Sequence, residues 1–199
     1  MRSHMLVLLV SALLMIAATL PAQTKKYDVK SGIITFELVM SAGKMKISQK
    51  VVLFFDEYGM KECKDTYSGG VLEQSNMSDG KTRYVIIHAK KTAYKRGDAY
   101  RGTEMRFDWD EVSAKDKSEG KAKKLANMTI AGKDCEAFET VTSGTRSTFA
   151  GWAHTTLFMD VVGNGIQSTT RALKIEENAK ISPEKFGVPA GFQVNQSGL

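Results

Sequence analysis

Residues 33–55 read IITFELVMSAGKMKISQKVVLFF and decide the fold of this 199-residue chain. Apolar side chains recur at every second position on both sides of a short turn that contains Gly43. Alternation with period two predicts a strand that buries one face, and two such runs joined by a glycine turn predict a β-hairpin. The apolar positions that share the predicted buried faces are Ile34, Phe36, Leu38, Met40, Met45, Ile47, Val51, Leu53 and Phe55.

Turn signals divide most of the remaining chain into further strands. Asp79-Gly80 is the strongest two-residue hairpin signal among them. The connections are too short for parallel crossovers, so an antiparallel sheet of about nine or ten strands is expected. The further predicted strands are 60–67, 71–77, 83–89, 125–130, 135–141, 147–158 and 166–176.

One helix is predicted between the two groups of strands, over residues 104–115. Met105, Trp109 and Val112 recur at helical spacing, and Thr103 is placed to cap the helix. A single sheet of this size must curl, close on itself or be covered on one face. The expected fold class is therefore mainly β (α+β): a curled antiparallel sheet, or half-barrel, with the helix on its concave side.

The first 22 residues have the layout of a signal peptide. Arg2 supplies a positive charge, residues 5–20 are almost continuously apolar, and Ala22 is a small residue at the expected cleavage point. A helix of that apolar stretch would span about 24 Å, which is short of the ~30 Å hydrocarbon core. We therefore expect an exported protein of the periplasm or cell envelope, with a single curled β-sheet domain over 23–199.

Net charge and cysteine content narrow the expected partners. The formal charge is +6 and the isoelectric point is about 9.2. Outside the cytoplasm such a chain is expected to meet anionic lipid head groups of a membrane surface, or polysaccharide, rather than nucleic acid. The cationic segment 90–106 is either the contact surface for an anionic lipid or a partner, or a solvated loop. Export also permits a disulfide between Cys63 and Cys135, and the alternative is two buried thiols.

No catalytic or metal-binding signature accompanies these elements. His88 and His154 have no partner at the spacing that metal or general-base chemistry requires. The sequence contains no His-x-x-x-His, His-Glu-x-x-His or Gly-x-Ser-x-Gly motif. No catalytic residue, metal or cofactor is therefore predicted.

Three short motifs carry a family resemblance. They are 130–138 (IAGKDCEAF), Trp152 on a predicted strand, and 186–192 (FGVPAGF). Together they resemble a group of exported bacterial proteins of unknown function, which is similar in architecture to the LolA/LolB-like lipoprotein carriers. The resemblance implies a curled antiparallel sheet that holds an apolar cavity closed by helices.

The apolar residues suggest a ligand site, and three hypotheses remain open. The first is an exported, non-enzymatic envelope protein that binds an apolar ligand, a lipid or lipoprotein acyl chain, in a half-barrel cavity where flexible methionines suit variable shapes. The alternative is a solid-core interaction or structural module that acts through a basic surface or sheet edge without a bound ligand. The third is a hydrolase whose site the sequence does not display. The candidate ligand-binding residues are Phe36, Leu38, Met40, Ile47, Val51, Leu53, Phe55, Met105, Trp109 and Val112.

Overall fold

A computed structural model describes residues 25–98 and 106–196, and these residues form one sheet of twelve strands. The amino-terminal strands are β1 (Gly32–Ala42), β2 (Met45–Asp56), β3 (Lys61–Ser68), β4 (Val71–Ser78), β5 (Thr82–Ile87) and β6 (Thr92–Asp98). The later strands are β7 (Ala122–Ile130), β8 (Lys133–Thr142), β9 (Thr145–Trp152), β10 (Thr155–Gly163), β11 (Ile166–Glu177) and β12 (Gln193–Gln196).

The strands follow the order β12-β6-β5-β4-β3-β2-β1-β11-β10-β9-β8-β7. Neighbouring strands are antiparallel except β12 and β6, which are parallel. The predicted hairpin of residues 33–55 is confirmed, since β1 and β2 pair along their whole length from Gly32 opposite Phe55 to Ala42 opposite Met45. The sheet curls without closing among the described strands, so the mainly β, curled antiparallel fold class is also confirmed.

The predicted strand count of nine or ten is too low. Residues 147–158 form two strands rather than one, because Ala153 and His154 adopt positive φ angles of 49° and 58° and make a tight turn between Trp152 and Thr155. Such turns favour Asn and Gly, so this pair gave no recognisable signal. The other missed strands are β6, which lies within the cationic segment 90–106, and β12, for which no strand was predicted.

The predicted helix over 104–115 is wrong for residues 106–113, which are not helical. Arg106 forms an isolated bridge with Thr155, and the Asp108 carboxylate accepts a hydrogen bond of 2.9 Å from the backbone N–H of Asp110. Such local bonds from Asp side chains compete with helical backbone bonds. The helix in this region, α1, is only Ala114–Ser118, and it begins where the Ser113 hydroxyl accepts a bond of 3.0 Å from the Asp116 N–H.

Two apolar clusters lie on opposite faces of β2, because adjacent side chains in a strand point to opposite sides. Leu53 and Phe55 belong to the first cluster, and Phe54 packs against the second. The buried residues of the first cluster are Tyr27, Ile34, Phe36, Val51, Leu53, Phe55, Ile130, Cys135, Ala137, Ala150, Leu157 and Ala172. Those of the second are Cys63, Met77, Ile86, Ala93 and Phe186.

The two cysteines are free buried thiols in this structure, one in each cluster. The sequence left open a disulfide between Cys63 and Cys135 or two buried thiols, and the structure has the two buried thiols. No helix within 25–98 and 106–196 is long and apolar enough to cross a membrane. The expected signal peptide, residues 1–22, lies outside the described residues and stays a prediction.

Candidate ligand-binding cavity

A cavity of about 810 Å³ opens on one face of the sheet. Its walls come from β10, β11 and β1 to β5, seven consecutive strands of the sheet order, so the sheet must curl around it. The apolar lining residues are Phe36, Leu38, Met40, Val51, Ile87, Leu157, Phe158 and Met159. The polar lining residues are Gln49, Lys64, Thr66, Glu73, Gln74, Asn76, Thr156, Ser168 and Thr170.

The same face of β1 and β2 is packed at one end and open at the other. Ile34, opposite Leu53, is only 1% exposed, and Leu53 is equally buried. Further along β1, Leu38 and Met40 are partly exposed and line the cavity. A continuous apolar face is therefore solid core at one end and cavity wall at the other.

Tyr27 is a main component of the packed end. Its ring is fully buried and lies edge-on to Phe55, with 4.9 Å between the ring centroids. Its hydroxyl donates a hydrogen bond to Glu62, and the Lys26 ammonium pairs with the same carboxylate at 2.6 Å. Burial, followed by the Glu62 charge, raises the pKa of Tyr27 well above its usual value.

The structure brings four of the ten predicted ligand-binding residues to the cavity wall: Phe36, Leu38, Met40 and Val51. Leu53 and Phe55 lie in the packed end, with 1% and 3% of their surface exposed. Ile47 is paired with Met40 but is 48% exposed and does not line the cavity. Met105 lies outside the described residues. Trp109 and Val112 lie elsewhere.

The prediction that a helix carrying Trp109 covers the concave side is wrong. Trp109 packs on Phe138, with 5.4 Å between ring centroids, and the Lys117 ammonium lies 4.6 Å from the Trp109 ring centroid. Trp109 lines a separate polar groove that also contains Trp152, and Val112 lies in a turn where its N–H bonds to the Trp109 carbonyl at 3.1 Å. The segment is held there by local turns and by Phe107, which packs on Gly151 and Phe138.

Sequence reasoning missed the polar side of the cavity. The hairpin register places Gln49 opposite Leu38 and Thr66 opposite Val51, so extending the predicted face across successive hairpins would have reached these residues. No hairpin register in the sequence places Met159 and Leu157 at the cavity. The turn that begins β10 was not recognised, and β10 is joined to β1 only through β11.

The cationic segment 90–106 is only partly described. Lys90, Lys91 and Arg96 are exposed, and β6 runs through the segment. Arg106 is instead paired with Asp108 at 3.0 Å and with Glu111 at 2.9 Å. The described exposed cations therefore belong to the β6 end of the segment.

A buried carboxylate, Asp65, organises a polar cluster on the opposite face of β3 from Thr66. The Ser75 hydroxyl donates to it at 2.6 Å, the Cys63 thiol at 3.3 Å, and the Lys185 ammonium pairs with it. Burial alone would raise the pKa of Asp65, but the hydrogen bonds from Lys185 and Ser75 outweigh burial and lower it. Burial, with the Asp65 charge, raises the pKa of Cys63 to about 12.

This cluster contains Asp, Ser and His but does not have the geometry of an activated nucleophile. The Ser75 hydroxyl gives its proton to Asp65, so at its 2.8 Å contact with His88 Nε2 it accepts rather than donates. A catalytic base would have to take the serine proton instead. Burial lowers the pKa of His88, consistent with a neutral ring that donates from Nε2. Within the described residues no group of three or more His, Cys, Asp or Glu side chains could hold a metal ion.

No family model and no curated protein matches this chain. An uncharacterized conserved protein from Thermus thermophilus has a similar structure, with a TM-score of 0.56, 6% identity, and coverage of 85% of this chain and 91% of that one. Similar structures also include an outer membrane lipoprotein-sorting domain from Vibrio parahaemolyticus, with a TM-score of 0.41, 10% identity, and coverage of 79% of this chain and 89% of that one. A protein from Nitrosomonas europaea has a TM-score of 0.42, 8% identity, and coverage of 81% and 94% in the same order. That protein is described as a LolA superfamily member.

The neighbours thus include proteins described as LolA-like, the architecture to which the group resembled by the three sequence motifs is similar. The likeness to the Thermus protein shows the fold alone, because the identity is only 6%. The two weaker likenesses carry no argument about what this chain binds.

Proposed function

We propose that this chain is an exported, non-enzymatic envelope protein that binds an apolar ligand, an acyl chain or lipid, in the cavity between β10 and β5. The observation that carries the proposal is the cavity itself, about 810 Å³ with eight apolar side chains in its wall. Ligand pockets in proteins commonly measure ~300–1,000 Å³ and combine an apolar lining with a few polar groups. The periplasm or envelope is the location that fits an acyl ligand and the predicted signal peptide.

The chemistry of the wall suits a flexible chain. Met40 and Met159 are unbranched and polarizable, and they adapt to ligands of variable shape. Each methylene group that leaves water for such a wall contributes about 0.8 kcal/mol. The exposed cations at Lys90, Lys91 and Arg96 provide a surface for contact with an anionic membrane.

The first test is binding of the uncharged fluorescent probe N-phenyl-1-naphthylamine to the purified protein. We expect saturable binding by the wild type and at least tenfold weaker binding by Leu38→Asp, because a carboxylate in the cavity wall opposes an apolar ligand. Leu173→Asp is the matched control, since Leu173 is 57% exposed on β11. Its binding should equal that of the wild type.

A second pair of variants guards against misfolding of Leu38→Asp. Met40→Trp fills the cavity, whereas Met45→Trp changes a methionine of the same hairpin that is 68% exposed. The first should weaken probe binding and the second should not. A wild-type protein that binds no probe would favour the solid-core interaction module instead.

A further inference from the structure

The cavity has two chemically different sides. One row of neighbouring residues crosses the sheet from β1 to β5, and register pairs each member with the next. From β1 to β5 the row consists of Phe36, Val51, Thr66, Gln74 and Ile87, one residue from each strand. The row is apolar on β1 and β2, polar on β3 and β4, and apolar again at Ile87 on β5.

A second paired position enlarges this polar side. Lys64 on β3 lies opposite Asn76 on β4, and both line the cavity. We call Lys64, Thr66, Gln74 and Asn76 the polar wall. The other side, formed by β1, β2, β10 and β11, is mainly apolar. Its polar members are Gln49, Thr156, Ser168 and Thr170.

The polar wall has hydrogen-bonding capacity to spare. The Gln74 amide donates to the Asn76 side-chain oxygen at 3.4 Å, which is at the long limit for such a bond. In the described part of the chain the Thr66 hydroxyl makes no hydrogen bond to another side chain or to the backbone. Each primary amide offers two N–H donors and one acceptor oxygen, so several groups can still meet a ligand.

The charges of the lining balance. Lys64 and Glu73 carry opposite charges, and Lys64 already interacts with another residue of the protein. A charged ligand group that left water for this cavity would find no excess of opposite charge in the lining. Burying a charge without such a partner is costly. A carbonyl or hydroxyl group, by contrast, would be satisfied by the amides and the threonine.

We infer that the ligand is an amphiphile whose acyl chain lies against β1 and β10 and whose uncharged, hydrogen-bonding head group lies against Thr66, Gln74 and Asn76. This inference rests on the proposed function and specifies the ligand class. The cavity then selects its ligand by head group as well as by chain.

Three compounds with the same sixteen-carbon chain test this selectivity: monopalmitoylglycerol, palmitate and hexadecyltrimethylammonium. Each is used below its micelle concentration to displace N-phenyl-1-naphthylamine from the wild-type protein. The uncharged glyceride should compete at least tenfold better than either charged compound. Equal competition by all three, or tighter binding of palmitate or of the cation, would overturn the inference while leaving the proposed function standing.

Variants of the polar wall make the test specific. Thr66→Val and Gln74→Leu each remove hydrogen-bonding groups and should weaken monopalmitoylglycerol about three- to tenfold. The loss is measured relative to each variant's own affinity for the naphthylamine probe, because that probe has no comparable head group. Gln193→Leu, on the exposed surface of β12, is the matched control. Unchanged glyceride affinity in both wall variants would overturn the inference, whereas absent probe binding in the wild type would overturn the proposed function itself.

Discussion

Asp65 is the residue whose environment differs most from that of a surface carboxylate. It is completely buried, yet its charge is matched by the Lys185 ammonium, which is 28% exposed. Lys185 belongs to the carboxyl-terminal segment, and its neighbour Phe186 is buried in the second apolar cluster. The ion pair and the Phe186 ring therefore both help to attach this segment to the sheet.

This ion pair has a defined pH range. Folding lowers the pKa of Asp65, so its stabilisation is present above the unfolded value of about 3.9 and is lost as the pH falls through the folded value. Burial alone would lower the pKa of Lys185, but the bond to Asp65 raises it. The lysine contribution is therefore complete below about 10.4 and is lost only as the pH rises through the folded pKa.

Lys185→Met tests the pair. Removing the ammonium leaves a buried carboxylate without a counter-charge, so the free energy of unfolding at pH 7 should fall by about 3 kcal/mol. The deficit relative to the wild type should shrink between pH 7 and pH 4, because the unpaired carboxyl group takes up a proton. Urea unfolding at several pH values measures both effects. Lys180→Met, at an exposed position of the same segment, should change little; a similar loss there would contradict the assignment.

At the scale of elements, the segment 106–112 is attached to the sheet where the Phe107 ring packs against Gly151 of β9. A Cβ atom built on Gly151 would come within 2.1 Å of the Phe107 ring, so this strand position has no room for a side chain. The Phe107 N–H also bonds to the His154 carbonyl at 2.9 Å. Close approach to β9 and β10, rather than helix formation, therefore determines the conformation of this segment.

Gly151→Ala should be destabilising, because the added methyl group must displace Phe107 from a packed position. We expect a loss of about 2 kcal/mol in the free energy of unfolding, within the range for overpacked cores. Gly187→Ala is the control, since its added Cβ would meet its nearest atom at an ordinary 3.6 Å. Equal stability of the two variants in urea would show that the Phe107 contact does not constrain the segment.

At the scale of the whole molecule, the curled sheet holds its cavity without help from the Trp109 segment. The cavity wall consists of residues from β1 to β5, β10 and β11. Trp109 lies instead against Phe138 of β8. The sheet's curvature and the packed end around Tyr27 define the space. A change in the Trp109 segment should therefore leave that space intact.

Trp109→Asp tests this separation. If the cavity binds its ligand independently of the segment, the affinity for N-phenyl-1-naphthylamine should stay within about twofold of the wild type, a difference below about 0.5 kcal/mol. The same fluorescence titration compares it with Leu38→Asp, which should lose binding. Loss of binding in folded Trp109→Asp would show that the segment does reach the ligand.

Local pattern predicted much of the amino-terminal half and part of the cavity. The alternation in 33–55 indicated both strands, their turn and the shared face of Phe36, Leu38 and Met40, because a hairpin is encoded by neighbouring residues. The same logic failed at Ala153-His154, where a tight turn forms without its usual residues. It failed again at 104–115, where the described residues have helical spacing but pack by Phe107 and by local Asp and Ser bonds.

The sequence by itself determined that this chain forms an antiparallel sheet and which faces of β1 and β2 are apolar, since period-two spacing requires only local geometry. Only the tertiary structure decided what covers those faces. Pairing of β1 with β11, more than a hundred residues away, brings Met159 and Thr170 to the cavity, while Tyr27 fills the opposite end. Periodicity indicates that a face avoids water, but whether it meets packed core or an open cavity depends on how the sheet curls.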